Sequence, residues 1–360
     1  MSTEQAPGPE LQRAGSTSPS VGVEEEFLLV DPDTGQPRLC NTDVAAAAER
    51  FGLALQLELS KCQVETNTQA CWDSRTLRAH LLQMRALAAA AALNSGCRLV
   101  AVGTPMVGPW RLPISDSERY HRMAQRFGVL TIEQSVCGCH VHVNVPEREL
   151  AVQVCNHVRP WLPILLALGA NFAVHRGIDS GYASWRSILS SRWPISGPPP
   201  LFASAQHYDE MVAMMVDAGL LMDERMVYWD IRPSSHLPTV EIRVADVQPT
   251  VDETELLATL IRALVMTATR GIARGEPAPA VDLETLRAAT WVAARDGLTD
   301  EAIDPRAGRP VTPVHQLTAL VDHIHDSLDE LGEYRRARLL LRRQLELGNG
   351  AVWQRRALCD

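Results

Sequence analysis

Lysine is almost missing from this 360-residue chain: Lys61 is the only one. A Walker-type phosphate loop and a dedicated Schiff-base lysine both lose their essential residue, except at that one position. Any phosphate chemistry must therefore run on arginine and metal. Cys-x-x-Cys pairs are missing too: the eight cysteines, at 40, 62, 71, 97, 137, 139, 155 and 359, show no framework spacing. That argues against structural zinc and for reduced thiols in a cytoplasm. No uninterrupted apolar stretch approaches the roughly 20 residues of a membrane span. Positive charge is scarce, with a net charge of −9 and no basic cluster outside the C-terminal arginines, so a nucleic-acid partner is not expected. Small anionic substrates remain open.

What is present is an ordinary globular composition, 46% hydrophobic and 21% charged. Residues 1–20, rich in Ser, Pro, Gly and Gln and without an apolar signal core, read as a disordered leader. Gly22 to Val30 reads as a strand, and Asp31-Pro-Asp-Thr-Gly35 as a turn from which a hairpin partner returns. The alternation at Leu53 to Leu59 predicts a half-buried strand. Helical spacing predicts a helix from Arg75 to Leu93, capped by Ser74 and stopped by Gly96. A strand at Arg98 to Gly103 follows, then a helix from Ser117 to Arg126 opened by a Ser115-x-x-Glu118 capping box and closed by Gly128. Val129 to Glu133 and Cys139 to Val145 read as strands. A long apolar helix over 147–170 should kink at Pro160 and Pro163. Residues 171–200 resemble a functional surface loop. A helix at Ala205 to Ala218, strands at Met226 to Arg232 and Thr239 to Val244, and four helical stretches after Asp252 complete the pattern. Short turns between strands favour an α+β fold, a largely antiparallel sheet with helices packed on one face.

Four strands place chemistry on their polar sides. Residues two apart in a strand face the same way, so Glu24 and Glu26 project together while Val23, Glu25 and Phe27 face oppositely. Burying three consecutive acids unpaired is costly, and Mg²⁺ or Mn²⁺ is a natural counter-charge. A solvated acidic edge strand would explain Glu24 and Glu26 as well. The other strands tip the balance. Alternation puts His140, His142 and Asn144 on one side of Cys-Gly-Cys-His-Val-His-Val-Asn-Val, and Glu241 with Arg243 on one side of Thr-Val-Glu-Ile-Arg-Val-Ala-Asp. There the glutamate can bind a cation and the guanidinium a phosphoryl group. Glu58 and Glu65 flank a bend at Ser60-Lys-Cys62.

In order, Gly22-Val-Glu-Glu-Glu-Phe27, Glu58 through Glu65-Thr-Asn-Thr68, Gly138-Cys-His-Val-His-Val143 and Val240-Glu-Ile-Arg-Val-Ala-Asp246 resemble the bacterial glutamate–cysteine ligase type 2 family of carboxylate-amine ligases. The resemblance spans roughly residues 20–275 and takes in Tyr182-Ala-Ser-Trp-Arg186 and Ser191-Arg-Trp-Pro194. It implies a glutamine synthetase-like catalytic domain over 21–275, with 276–360 as a helical C-terminal part of it. It implies small-molecule substrates and ATP with Mg²⁺ or Mn²⁺. It implies one metal held by Glu24, His140 and Glu241 toward the nucleotide, and a second held by Glu26, Glu58 and Glu65 toward the substrate carboxylate. His142 and Arg243 then face phosphate, with Arg186, Arg192 and Arg232 as candidates for phosphate or carboxylate. Glu26, Glu241 and Arg243 carry the catalytic expectation. The reaction expected is attack of a carboxylate on the γ-phosphate, giving an acyl phosphate that an amine displaces, as in joining L-glutamate to L-cysteine. Two rivals stand beside it: a metal-dependent hydrolase that leaves Glu241 and Arg243 idle, and a non-catalytic metal-binding protein. The Arg-rich stretch from Glu333 to Leu347 could pack on a second copy of the chain or on its own core.

Overall fold

The computed structural model describes residues 18–359, so most of the expected leader lies outside the described residues. Strand β1 (Val21–Val30) is followed by helix α1 (Asn41–Glu49), strands β2 (Gln56–Leu57) and β3 (Gln63–Asn67), helix α2 (Ser74–Asn94) and strand β4 (Arg98–Val100). Then come α3 (Glu118–Phe127), α4 (Val129–Ile132), β5 (Gly138–Asn144), α5 (Arg148–Val158) and, after a 3₁₀ turn at Arg159–Trp161, α6 (Leu162–Leu168). The irregular stretch holds β6 (Val174–His175), β7 (Ile178–Asp179), α7 (Trp185–Ser190) and β8 (Ser196–Gly197). Helix α8 (Ala205–Asp217), β9 (Tyr228–Trp229), β10 (Ile231–Pro233), β11 (Thr239–Asp246) and α9 (Val251–Ala273) follow. The chain ends with α10 (Leu283–Asp296), the hairpin β12 (Ala302–Asp304) and β13 (Arg309–Val311), and α11 (Pro313–His323), α12 (His325–Glu330), α13 (Tyr334–Leu347) and α14 (Gly350–Cys359).

The main sheet runs β10-β11-β5-β1-β3-β2, every pair antiparallel, with β4 paired to the far end of β1. This is the expected α+β architecture. Alternation gives it two unlike faces. Val21, Val23, Val141, Val143, Val240 and Ile242 enter a core completed by α5, α6 and α9, where each fully buried side chain contributes about 1.5–3 kcal/mol. Helix α9 begins in a capping box between Thr250 and Glu253. Among the described residues it is the one helix long and apolar enough to cross a membrane, a length the sequence reading missed, and 72% of its apolar window is buried inside the protein. Helix α13 settles on the chain's own core: Ala337, Leu340, Leu341 and Gln344 are buried, and Arg336 and Arg343 pair with Glu255 and Asp252 of α9.

Several local expectations change. The turn at 31–35 forms, with Asp31 Oδ1 accepting the Thr34 amide at 2.9 Å, but the chain returns for only one bridge, Val30 to Pro37. Val129 to Glu133 is a helical turn and not a strand: Gly128 at φ +57° reverses the chain, and the Thr131 hydroxyl caps back to the Met123 carbonyl at 3.2 Å. These contacts override the β-branched propensity of Val, Thr and Ile. Asp73, not Ser74, caps α2, accepting from the Thr76 amide at 2.8 Å. Only Gln56 and Leu57 of the 53–59 run pair as a strand, and only Arg98 to Val100 of the 98–103 run. The Ser115 capping box does not form either, because the Ser115 hydroxyl instead donates to the Glu58 carbonyl and accepts from Asn41 Nδ2 at 2.9 Å. The long helix expected over 147–170 does break, at Arg159–Trp161. Beyond Asp252 there are six helices and a hairpin where four helical stretches were expected.

Candidate active site

The polar face of the sheet is organised by register. Glu24 stands opposite His140 on β5 and Asn67 on β3; Glu26 stands opposite Glu65, which in turn faces Gln56. On β11, Glu241 lies opposite His142 and, on its other side, Arg232. Opposed residues of antiparallel strands share a face, so five strands aim their polar side chains at one place. Glu58 joins from just past β2, its backbone tied by Ser115. A β-bulge between Ile242 and Ala245 lifts Arg243 from the ladder, and its amide instead donates to the Asp230 carbonyl at 2.8 Å.

Three groups of potential ligands result, each with donor atoms within 4.8 Å of one another: Glu24, Glu65 and His140; Glu24, His142 and Glu241; and Glu26, Glu58 and Glu65. The third is the set expected for the second metal. The first expected set, Glu24, His140 and Glu241, is met in altered form: His142 groups with Glu24 and Glu241, while His140 Nδ1 lies 3.2 Å from Glu24 and 4.0 Å from Glu241. Glu24 spans both imidazoles, its Oε2 lying 3.2 Å from His140 Nδ1 and its Oε1 3.2 Å from His142 Nε2. His142 Nδ1 lies 2.9 Å from the Thr239 hydroxyl, which leaves Nε2 turned toward the carboxylates. Nε2 is buried, with Glu24 Oε1 as its neighbour at 3.2 Å. An imidazole nitrogen held among carboxylates by a bond at its other nitrogen is the arrangement a metal ligand shows.

Charge is unevenly distributed across this face. Burial, together with Glu26 and Glu24, pushes the Glu58 carboxyl up to about 8. Burial with Glu24 and Glu58 raises Glu65 well above the carboxylate range. Burial also raises Glu26, although the Gly138 amide at 2.6 Å and Arg243 pull the other way. At Glu24 the cost of burial is outweighed by His142 and His140, which hold it low. At Glu241 it is outweighed by Arg243 and Arg232. His140, buried beside Arg243, is pushed down to about 4 and is a neutral imidazole at physiological pH. The carboxylates thus fall into those already neutralised by side chains and a remaining group, Glu26, Glu58 and Glu65, that lacks cations. Oxygen donors with imidazole suit a hard divalent ion, so the residues present fit one. Gly138 makes the approach possible: a Cβ there would meet His140 Nε2 at 2.9 Å.

The face opens into a cleft of about 560 Å³. Its walls come from Glu26, Glu58 and His140, from Arg119 and Tyr120 of α3, from α7 and residues 193–198, and from Tyr228, Asp230, Arg243 and α10. Arg243 bonds Glu241 and lies 3.4 Å from His140 Nδ1. Arg186 also lines the cleft, but its Nε is engaged by Asp246 at 2.8 Å and its Nη2 by the Ala245 carbonyl at 2.6 Å. Arg232 bonds Glu241 at 2.8 Å and the Val227 carbonyl at 2.6 Å and does not line the cleft; it positions a carboxylate. Arg192 departs from expectation: it pairs with Glu133 and lies outside the cleft lining. Glu25 turns to the opposite face and is held by Arg85 and the Thr254 hydroxyl at 2.7 Å. Sequence reasoning missed Tyr120, Gln63, Tyr228 and Asp230. For Asp230 a signal existed, since it lies two residues before Arg232 within the strand expected from sequence at Met226 to Arg232.

Two solved structures share this fold. A glutamate–cysteine ligase from Francisella tularensis, solved in complex with AMP, aligns with a TM-score of 0.70 at 16% identity, covering 93% of this chain and 83% of that one. A bifunctional glutathione synthetase from Pasteurella multocida aligns at 0.63 and 16% identity, over 95% of this chain and 52% of that one. The particular family follows from sequence: the profile of glutamate–cysteine ligase family 2 matches residues 20–358, and the chain belongs to that family. A Mycolicibacterium smegmatis protein with the provisional name glutamate–cysteine ligase 2-3 is 52% identical over 343 residues, 95% of this chain and 94% of its own. A Nocardia farcinica protein provisionally named glutamate–cysteine ligase 2-1 is also 52% identical, over 94% of this chain and 89% of its own.

Proposed function

We propose that the chain is an ATP-dependent carboxylate-amine ligase of glutamate–cysteine ligase type, joining L-glutamate to L-cysteine with release of ADP and phosphate. The observation that carries this reading is the single sheet face on which Glu26, Glu58 and Glu65 converge with no arginine or lysine ion-paired to them among the described residues, while Arg243 stands at their edge. Glu26, Glu58 and Glu65 would hold one Mg²⁺ or Mn²⁺, and Glu24 and Glu241 with His142 and His140 would hold another. Such ions neutralise phosphate charge as it accumulates.

The chain's own residues do the rest. Arg243 is long enough and positive enough to contact the transferring phosphoryl group, and Glu241 and His140 fix its guanidinium in place. Arg232 and Thr239 act one step back, orienting Glu241 and His142. A carboxylate is a poor electrophile, so its oxygen first takes the γ-phosphoryl group, and the acyl phosphate must then meet an amine before water. Residues 193–198, Tyr228 and α10 wall the cleft against that loss. Residues 276–360 are read as part of the same catalytic unit, a reading supported by α10, which contributes Arg287, Thr290 and Trp291 to the wall. Free cysteines throughout the described residues agree with a cytoplasmic setting.

The test incubates purified protein with Mg²⁺, ATP and pooled amino acids and measures ADP and phosphate. Amino-acid-dependent ADP formation supports ligation, and replacing cysteine by other amino acids one at a time then identifies the acceptor. No ADP with any pool overturns the reading.

A further inference from the structure

The carboxylate of Asp230 has no role in the phosphoryl chemistry above. It sits between β9 and β10, one step beyond the Ile231–Ile242 pair, with its carbonyl accepting from the Arg243 amide at 2.8 Å and its own amide bonded to the Gly197 carbonyl at 2.9 Å. That position is directly across from Arg243, so both side chains leave the sheet on the cleft side, and both line the cleft. Asp230 Oδ2 is buried and makes no hydrogen bond. Arg186 and Arg243 are the charged groups that act on it, yet neither pairs with it: Arg186 is spent on Asp246 and Arg243 on Glu241. A buried acceptor left unpaired in a folded protein is costly, so such an oxygen on a residue that lines a cleft marks a place for a ligand donor.

We infer that Asp230 receives the acceptor amine, holding the incoming ammonium and taking one of its protons so that the nitrogen can attack. This rests on the ligase reading and adds to it a residue for the second half-reaction. An amine arrives as R–NH₃⁺, which has no lone pair. One proton passes to the Asp230 carboxylate. The freed pair forms the C–N bond at the acyl carbon, the C–O bond to phosphate breaks, and phosphate departs with that pair and accepts the second proton from the nitrogen. Asp230 returns its proton to solvent. Burial pushes its carboxyl up to about 7 against the pull of Arg186 and Arg243, which gives it the basicity that proton transfer near neutral pH requires.

Hydroxylamine separates the two half-reactions, because it is largely unprotonated at neutral pH and traps an acyl phosphate as a hydroxamate without needing a base. Wild type and Asp230→Asn are compared with L-glutamate, ATP and Mg²⁺, once with amino-acid acceptors and once with hydroxylamine. The expected result is a loss of at least about 100-fold in kcat with amino-acid acceptors, with hydroxamate formation close to wild type. Parallel loss of both, or retention of both, overturns the assignment. Should the variant not fold, the wild-type enzyme decides: its rate with amino-acid acceptors should carry a limb near pH 7 that is missing with hydroxylamine, and identical profiles overturn the role. Absence of hydroxamate from wild type with any carboxylate overturns the ligase reading itself, and the two failures are thereby distinguished.

Discussion

Glu25 and its neighbours Glu24 and Glu26 share one strand and differ in which way they face. On the helical side, Glu25 is fully buried, yet Arg85 grips both its oxygens and Thr254 donates to it. On the cleft side, Glu26, Glu58 and Glu65 face one another with their affinity for protons raised. The first arrangement is complete within the chain. The second has more negative charge than the chain itself neutralises, and a protein keeps such a cluster only where something from outside completes it.

Substitutions should therefore separate along the same division. The largest effect is expected for Glu26→Gln, with ADP formation falling by at least about 10²-fold while the thermal transition in metal-free buffer stays level or rises. A variant that turns over at the wild-type rate would remove Glu26 from the site. Glu25→Gln should do the reverse, costing about 3–5 kcal/mol in chemical denaturation by stranding Arg85, with near-normal kcat per folded molecule. Glu241→Gln falls between, since its carboxylate serves Arg232 and Arg243 as well as the cluster, and should lose both activity and stability.

A smaller effect is expected from pH. Glu58 has its folded-state pKa raised to about 8 from 4.5, so the folded chain keeps a proton that the unfolded chain has lost. Stability in the presence of a chelator should then fall as pH rises through that window. Saturating Mg²⁺ or Glu58→Gln should flatten the decline, and a slope that neither changes would mean the cluster does not bind a cation. The smallest effect is reserved for Arg192→Ala. Its partly exposed pair with Glu133 lies outside the cleft lining, so stability should move by less than about 0.5 kcal/mol and ADP formation not at all.

Much of the architecture was legible because strands announce their faces. The alternation of valine with histidine in β5, and of valine and isoleucine with Glu241 and Arg243 in β11, already separated core from cleft. So did the opposition of Glu25 to Glu24 and Glu26. What alternation does not contain is distance between strands. Which histidine stands opposite Glu241 depends on a register that only pairing determines, and here it is His142, although His140 Nδ1 reaches to 4.0 Å from the same carboxylate. Local patterns also misled where a side chain had a distant partner. The Ser115 capping box failed because that hydroxyl was needed by Glu58, and Arg192 looked like a ligand because it sits in the Ser191-Arg-Trp-Pro194 segment, whose Ser191 and Trp193 do line the cleft while Arg192 does not. The α10 wall was invisible, since nothing in Arg287, Thr290 or Trp291 signals that they share a cleft with residues more than forty positions away.

The bulge in β11 has a consequence for how the protein can vary. Before it, the odd-numbered Glu241 and Arg243 look into the cleft; after it, Ala245 pairs with Cys139 and the even-numbered Asp246 pairs with Gly138. One surplus residue switches the parity of the strand. It allows Arg243 and the aspartate that anchors Arg186 to serve the same side of the sheet. Trimming that residue would flip one row or the other into the apolar layer. Insertions in the surface loops change only the length of a detour, whereas in β11 the chain counts residues one at a time.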